Sequence, residues 1–220
     1  MEHDVPTTSK HPRLFASEKD LARLREEPKM PAMVQAHADL IKNARKWLGS
    51  SKFVGRALNQ DPSGLMRARD WIDRIITLAA AFRKTGEESY RVGAVDYIRR
   101  LDDMKSVELR HENVSRGFWL TDGEESACLA IAYDWLYDSL SAKDRKLVVE
   151  ICRRRLLALG LKRCRKEGEW WFSLRFSNWN AVCAGGLGML CLAMYDECVE
   201  ARKILPHVEV SLREFMTPLK

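Results

Sequence analysis

No run of 18 apolar residues occurs in the chain, so no segment is long and apolar enough to cross a bilayer. The opening residues, Met1-Glu2-His3-Asp4-Val5-Pro6, lack the apolar centre of a secretory leader, and on that start alone a cytoplasmic location is expected. None of the six cysteines (Cys128, Cys152, Cys164, Cys183, Cys191, Cys198) stands in a CxxC pair, and no histidine lies at zinc-finger spacing from one. The five histidines, His3, His11, His37, His111 and His207, form no cluster. Neither a metal nor a cofactor is therefore expected. Most cysteines fall on apolar helix faces and read as buried free thiols. Segments alternating with a period of two are missing as well, which leaves helices as the only regular element.

What the chain does have is a globular composition: 220 residues, 46% hydrophobic and 31% charged. Seven tryptophans are many for this length. Such rings fill helix interfaces, and they also line clefts where a flat ring stacks on a sugar. The net charge of +6 favours anionic partners without naming one. A basic run, Arg153-Arg154-Arg155 and then Lys162 to Lys166, reads first as solvated surface. No nucleic-acid recognition motif accompanies it, so nucleic acid is not an expected partner; tight, salt-dependent DNA binding would be needed to reopen that reading.

Residues 1–12 are polar, carry two prolines and read as an extended arm. Residues 13–220 read as one helical domain. Ser17-Glu18-Lys19-Asp20 has capping-box spacing and opens a short helix ending near Glu27. Further helices are expected from Met33 to Leu48, from Leu65 to Lys84 and from Glu87 to Met104, then from Gly123 to Leu140. Ser141 caps the next, which Gly160 is expected to close. Asn178 reads as the cap of a very apolar helix reaching Tyr195, and Glu200 to Phe215 returns with an interruption near Pro206. Residues 105–121 and 161–177 are left as long loops, which in small domains often carry function.

An internal repeat organises these helices. Leu78-Ala79-Ala80-Ala81-Phe82 leads through Glu88 to Met104, and Leu190-Cys191-Leu192-Ala193-Met194 leads through Glu200 to Met216 at the same offset of 112 residues. Ala130 to Asp134 opens a third such turn between them. Apolar helix, short acidic turn and amphipathic helix recur, so the fold expected is all-α, with stacked helical hairpins forming a partial (α/α) toroid or a solenoid.

The stretch from Trp170 to Gly186 is the richest in chemistry. Aromatics and Arg175 lead into Asn178-Trp179-Asn180, and a helix full of small residues follows. Free N–H groups at a helix start attract anions, but from the chemistry alone an ordinary cap at Asn178 with Trp179 as a staple is the better explanation. Glu124 and Glu125 open an apolar helix beyond Trp119, where acids commonly just face the dipole. His111, beside Arg110 and Glu112, is the one histidine placed for proton transfer.

Three stretches together resemble the N-terminal α/α-toroid domain of the heparinase II/III-like polysaccharide lyases. They are His11-Pro12-Arg13-Leu14-Phe15 with Asp20-Leu21 and Leu24-Arg25; Glu124 through Ala132-Tyr133-Asp134-Trp135-Leu136-Tyr137-Asp138; and Asn178-Trp179-Asn180-Ala181-Val182-Cys183 with Gly185-Gly186. The resemblance implies a lyase that opens uronic-acid-containing polysaccharide by β-elimination, and a periplasmic or secreted location. It implies Asn178 and Asn180 as the groups meeting the uronate carboxylate. Trp119, Trp171 and Trp179 would stack on sugar, Arg175 would be a charge partner, and Glu124 matches an acidic position of the family. No histidine accompanies the two asparagines, and the family's catalytic tyrosine and β-sandwich are expected beyond Lys220. Little lyase activity is therefore expected of this chain by itself. The competing expectation is a noncatalytic helical-repeat module that binds glycan or protein. The oligomeric state is left open.

Overall fold

Apolar residues three and four apart commit a chain to helices that bury one face, and every regular element described here is helical. The computed structural model describes residues 10–50, 65–103, 117–164, 169–173 and 177–217. The elements are α1 (Glu18–Arg23), α2 (Pro31–Leu48), α3 (Leu65–Thr85), α4 (Glu88–Asp103), α5 (Leu120–Leu136), α6 (Ala142–Cys152), α7 (Ala158–Arg163), α8 (Trp170–Ser173), α9 (Asn178–Ala193) and α10 (Val199–Met216). A 3₁₀ turn at Tyr137–Ser139 follows α5, and a π-helical stretch at Arg153–Leu157 joins α6 to α7.

These elements pair into hairpins, and the hairpins stack. Helix α3 turns into α4 at Gly86, whose φ of 74° suits glycine and whose N–H meets Phe82 O at 2.7 Å. Helix α9 turns into α10 through Met194 to Cys198, where the Cys198 N–H meets Met194 O at 2.9 Å. Helices α3, α5 and α9 touch in sequence and form an inner layer; α4 packs on α6, and the π stretch and α7 pack on α10 behind it. Helix α2 lies against α3 and α4, and α1 against α3. The core runs between the layers, from Leu78, Ile75 and Ile98 through Leu129 and Ile151 to Leu187, Leu190 and Ile204. All six cysteines are buried and free, and burial pushes the thiols of Cys128, Cys152, Cys183, Cys191 and Cys198 up. No described helix is long and apolar enough to cross a membrane.

Four local expectations need correction. Helix α5 begins at Leu120 rather than Gly123, because the Asp122 carboxylate accepts the Trp119 N–H at 2.8 Å and starts the turn. Gly160 does not close a helix. It sits inside α7, where a side chain would strike Leu187 Cδ1 at 2.8 Å. The cap of α9 is Ser177, whose hydroxyl accepts from Trp179 N, so Asn178 is the first helical residue. Pro206 lies within an unbroken α10, held there by buried Ile204, Leu205 and Val208 on either side.

The amino-terminal segment is anchored by one buried carboxylate. Asp134, in the last turn of α5, receives His11 Nδ1 at 2.6 Å, the Arg13 N–H at 2.9 Å and the Leu14 N–H at 3.1 Å. A guanidinium only donates, so His11 Nε2 accepts from Arg13 Nη2 at 2.7 Å and the ring hydrogen sits on Nδ1, facing Asp134. The imidazole stacks on Tyr137 with centroids 3.9 Å apart. Arg13 reaches on to Asp196 at 2.8 Å, and Tyr133 donates to Glu197 Oε1 at 2.9 Å, both acceptors lying in the α9–α10 turn. The expected arm of residues 1–12 is thus already docked at His11. Charge-assisted bonds of this kind contribute roughly 1.5–3 kcal/mol each and do not add simply. Asp134→Asn is expected to lower unfolding free energy by about 3 kcal/mol, read as a shift of the urea midpoint with unchanged slope.

Candidate functional site

The helices α5 and α9 approach more closely than side chains permit. A Cβ on Gly186 would stand 2.0 Å from Gly123 O, and one on Gly123 would stand 2.8 Å from Cys183 Cα. Backbone therefore rests on backbone one turn into α5 and two turns into α9. Gly185, its neighbour, faces open space. This contact brings the two helix starts together at one end of the inner layer. Trp119, just before α5, and Trp179, in the first turn of α9, meet edge to face with centroids 5.7 Å apart. Both are half-buried, and Asn178 beside them is exposed.

Beneath this aromatic pair lies a buried polar floor. Trp171 is 1% exposed, donates Nε1 to Phe118 O at 2.8 Å and packs against the Phe118 ring. Asn180 is also 1% exposed, and its Nδ2 donates to Trp171 O at 3.1 Å and to Ser211 Oγ at 2.7 Å. Both amide hydrogens are committed. Its remaining atom, Oδ1, is a buried acceptor and repels a carboxylate. The roles expected for Asn180 as a carboxylate ligand and Trp171 as a sugar platform are corrected accordingly: the Trp171 side chain ties α8 to the segment before α5, and the Asn180 side chain ties α9 to α8 and α10. Arg175 and His111 lie outside the described residues.

Among the described residues, three arginine–glutamate pairs tie α5 and the segment before α8 to neighbouring helices. Arg69 of α3 grips Glu124 with Nε and Nη2 at 2.8 and 2.5 Å. Arg155 meets Glu125 at 3.2 Å inside the protein. It is carried inward by the π stretch, which corrects the expectation that all three consecutive arginines are surface groups. Arg163 lies 3.6 Å from Glu169, which also accepts the Phe118 N–H at 2.7 Å. Glu169 and Arg69 have no helical-period signature that marks them in the sequence. The described residues at this mouth include neither a histidine nor a tyrosine. Among the described residues, a cavity of about 360 Å³ opens elsewhere, on the outer layer between Leu48, Val92, Asp96, Arg99 and Asp144.

Two predictions follow from this geometry. Gly186→Ala is expected to force α5 from α9 and lower stability by roughly 3 kcal/mol, whereas Gly185→Ala, with space around it, raises stability by about 0.5–1 kcal/mol. Chemical denaturation of the two variants side by side reads both signs. Burial raises the Glu169 carboxyl above its ordinary 4.5, against the pull of the Phe118 N–H and Arg163. The native state then keeps this proton to higher pH than the unfolded chain does. The group's contribution to stability falls as pH climbs from 4.5 through the raised value and is flat above it. Unfolding measured across that window should show this step in the native protein and lose it in Glu169→Gln.

No protein-family model matches the chain, and no curated protein matches it in sequence, so the meaning of this mouth rests on its own geometry.

Proposed function

We propose that the stacked hairpins are part of an (α/α) toroid of the polysaccharide-lyase kind, and that the mouth at the starts of α5 and α9 binds a uronic-acid-containing polysaccharide. The observation that carries the reading is the Trp119–Trp179 pair. Two large rings meet at adjoining helix starts, half-open to solvent, with a rigid floor below them. Half-exposed aromatic rings at helix ends suit the apolar faces of a sugar ring. The resemblance of the amino-terminal segment, of α5 and of the α9 start to the lyase family supports the same reading, and two of those segments meet directly through His11, Arg13 and Asp134.

β-Elimination has three requirements: neutralisation of the uronate carboxylate, a base for the C5 proton, and an acid for the departing glycosidic oxygen. The mouth as described has no histidine or tyrosine for the last two. Glu169, whose carboxyl burial raises above its ordinary value, is held by the Phe118 N–H. Among the described residues, the mouth thus offers groups for binding and none of these two kinds for the reaction. The committed Asn180 amide favours a second reading, a noncatalytic glycan-binding module, over an autonomous enzyme.

Titration with alginate-derived and heparin-derived oligosaccharides should quench tryptophan fluorescence. Trp119→Ala or Trp179→Ala should weaken that binding by about threefold to tenfold, the equivalent of roughly 0.5–1.5 kcal/mol. Unsaturated-uronate absorbance should stay flat. Steady product formation by the chain itself would favour the autonomous lyase, and failure to bind any uronate oligosaccharide would overturn the glycan reading.

A further inference from the structure

Burying a guanidinium without an anion is costly, because water is stripped from a full charge and nothing replaces it. Among the described residues four arginines are buried: Arg74, Arg83, Arg91 and Arg155. Three have a carboxylate beside them. Arg83 pairs with Glu18, Arg91 with Glu88 and Asp144, and Arg155 with Glu125. Arg74 is the most buried of the four, at 3% exposure, and no carboxylate among the described residues pairs with it. Its Nε is enclosed and bonded to nothing. Asp70, one turn earlier on α3, is exposed and makes no ion pair with it, and Asp73 accepts from the Thr77 hydroxyl.

Rings surround this cation. The guanidinium carbon lies 4.6 Å from the centre of the Trp47 ring, 5.4 Å from Trp71 and 5.5 Å from Tyr97. The three rings come from α2, α3 and α4, and Trp71 meets Tyr97 with centroids 5.0 Å apart. The Tyr97 hydroxyl lies 2.9 Å from both Trp47 O and Ser50 O and fastens the box. Cation–π attraction recovers part of the burial cost, roughly 2 kcal/mol where water is excluded, but rings carry no net charge. Two further cations lean on the same rings, Lys46 over Trp47 at 4.4 Å and Arg100 over Tyr97 at 5.6 Å. Of these three cations only Arg100 has a carboxylate partner among the described residues, Asp96. Of the Arg74 nitrogens only Nε is enclosed without a partner, so Nη1 and Nη2 keep contact with solvent. That edge carries four N–H groups and matches two oxygens of one oxyanion.

We infer that Arg74 is the receptor of a small oxyanion, a phosphate or carboxylate group taken up at its Nη edge between α2, α3 and α4. Trp47, Trp71 and Tyr97 hold the cation in place before the anion arrives, which removes part of the ordering cost of binding. The site faces α2 and α4, whereas the mouth is built by α5 and α9, so it stands without the glycan reading.

The test is calorimetric titration of the full chain with sodium phosphate and with sodium acetate, at one pH and at an ionic strength fixed with sodium chloride. Thermal unfolding in the same three salts accompanies it. The native chain should bind at least one of the two anions saturably, and its unfolding midpoint should rise with occupancy. Saturation by phosphate alone identifies a phosphate group, and saturation by acetate identifies a carboxylate; either supports the inference. Arg74→Met keeps the length and removes the charge. It should weaken binding at least tenfold, and in chloride it should unfold no earlier than the native chain, since an unpaired buried charge is gone. Arg74→Lys, charge without a fork, should bind about threefold to tenfold more weakly than the native chain, and it carries the comparison if Arg74→Met does not fold. Trp119→Ala, at the mouth, should bind as the native chain does. Phosphate also stabilises folded chains by exclusion from their surface, an effect that does not saturate and acts on Arg74→Met alike. A native chain that binds neither anion saturably overturns the inference without recourse to any variant. So does an Arg74→Met or Arg74→Lys chain with native affinity, or loss of binding in Trp119→Ala.

Discussion

The contact of Gly123 with Gly186 is the constraint on which the mouth depends. Helices with side chains between them pack at axis distances of 8–10 Å, and here one glycine carbonyl occupies the space where a Cβ of the other would stand. The backbones of α5 and α9 are locked in register near their starts. Everything carried by those starts is placed in consequence: Trp119 against Trp179, Phe118 over Trp171, and Asn180 over Ser211. A mouth defined by backbone contact is stiffer than one defined by interdigitated side chains, because no rotamer change can relieve it.

The two ends of α5 solve different problems. At its carboxyl end, Asp134 takes backbone and imidazole donors from the amino-terminal segment and links them through Arg13 to the α9–α10 turn. Buried charge is tolerated there because the Asp134 carboxylate is met by the His11 ring and by the Arg13 and Leu14 N–H groups. At its amino end the charges stand in ion pairs that span helices: Arg69 with Glu124 joins α3 to α5, and Arg155 with Glu125 joins the π stretch to α5. These pairs fix how the layers meet more than they add net stability. The first end is a closed anchor. The second keeps an exposed guanidinium and two half-open rings.

Legibility in the sequence followed the same division. The apolar periodicity of α3, α4, α9 and α10, and their shared offset of 112 residues, marked the hairpins correctly because burial on one face leaves a period. Single-residue stop signals misled. Gly160 reads as a terminator, yet it is there to admit Leu187; Pro206 reads as a break, yet its flanking residues are buried too well for the helix to part. Tertiary packing decided both. Asn180 shows a deeper limit. An asparagine at a helix start has the chemistry to hold an anion, and only the positions of Trp171 O and Ser211 Oγ reveal that its donors are already taken. Arg155 reads as surface within a triple-arginine run because nothing in the sequence announces the π turn that swings it inward. Trp119 and Trp179 each precede or open a helix that the pattern predicts, but nothing in the sequence announces that their rings meet.

The electrostatics of the mouth follow from its topology. The inner helices run parallel, as the meetings of Arg69 with Glu124 near the starts of α3 and α5 and of Arg83 with Trp135 O near their ends require. Parallel helices bring their positive dipole ends to the same side, which by itself makes a strong anion trap. The chain offsets this field with Asp122, Glu124, Glu125 and Glu169, all within reach of the α5 start. Among the described residues, what remains is a nearly balanced floor, the Trp119–Trp179 pair and the exposed Arg69 guanidinium paired with Glu124. A balanced floor holds anions weakly and without discrimination, so selectivity falls to groups with a defined direction.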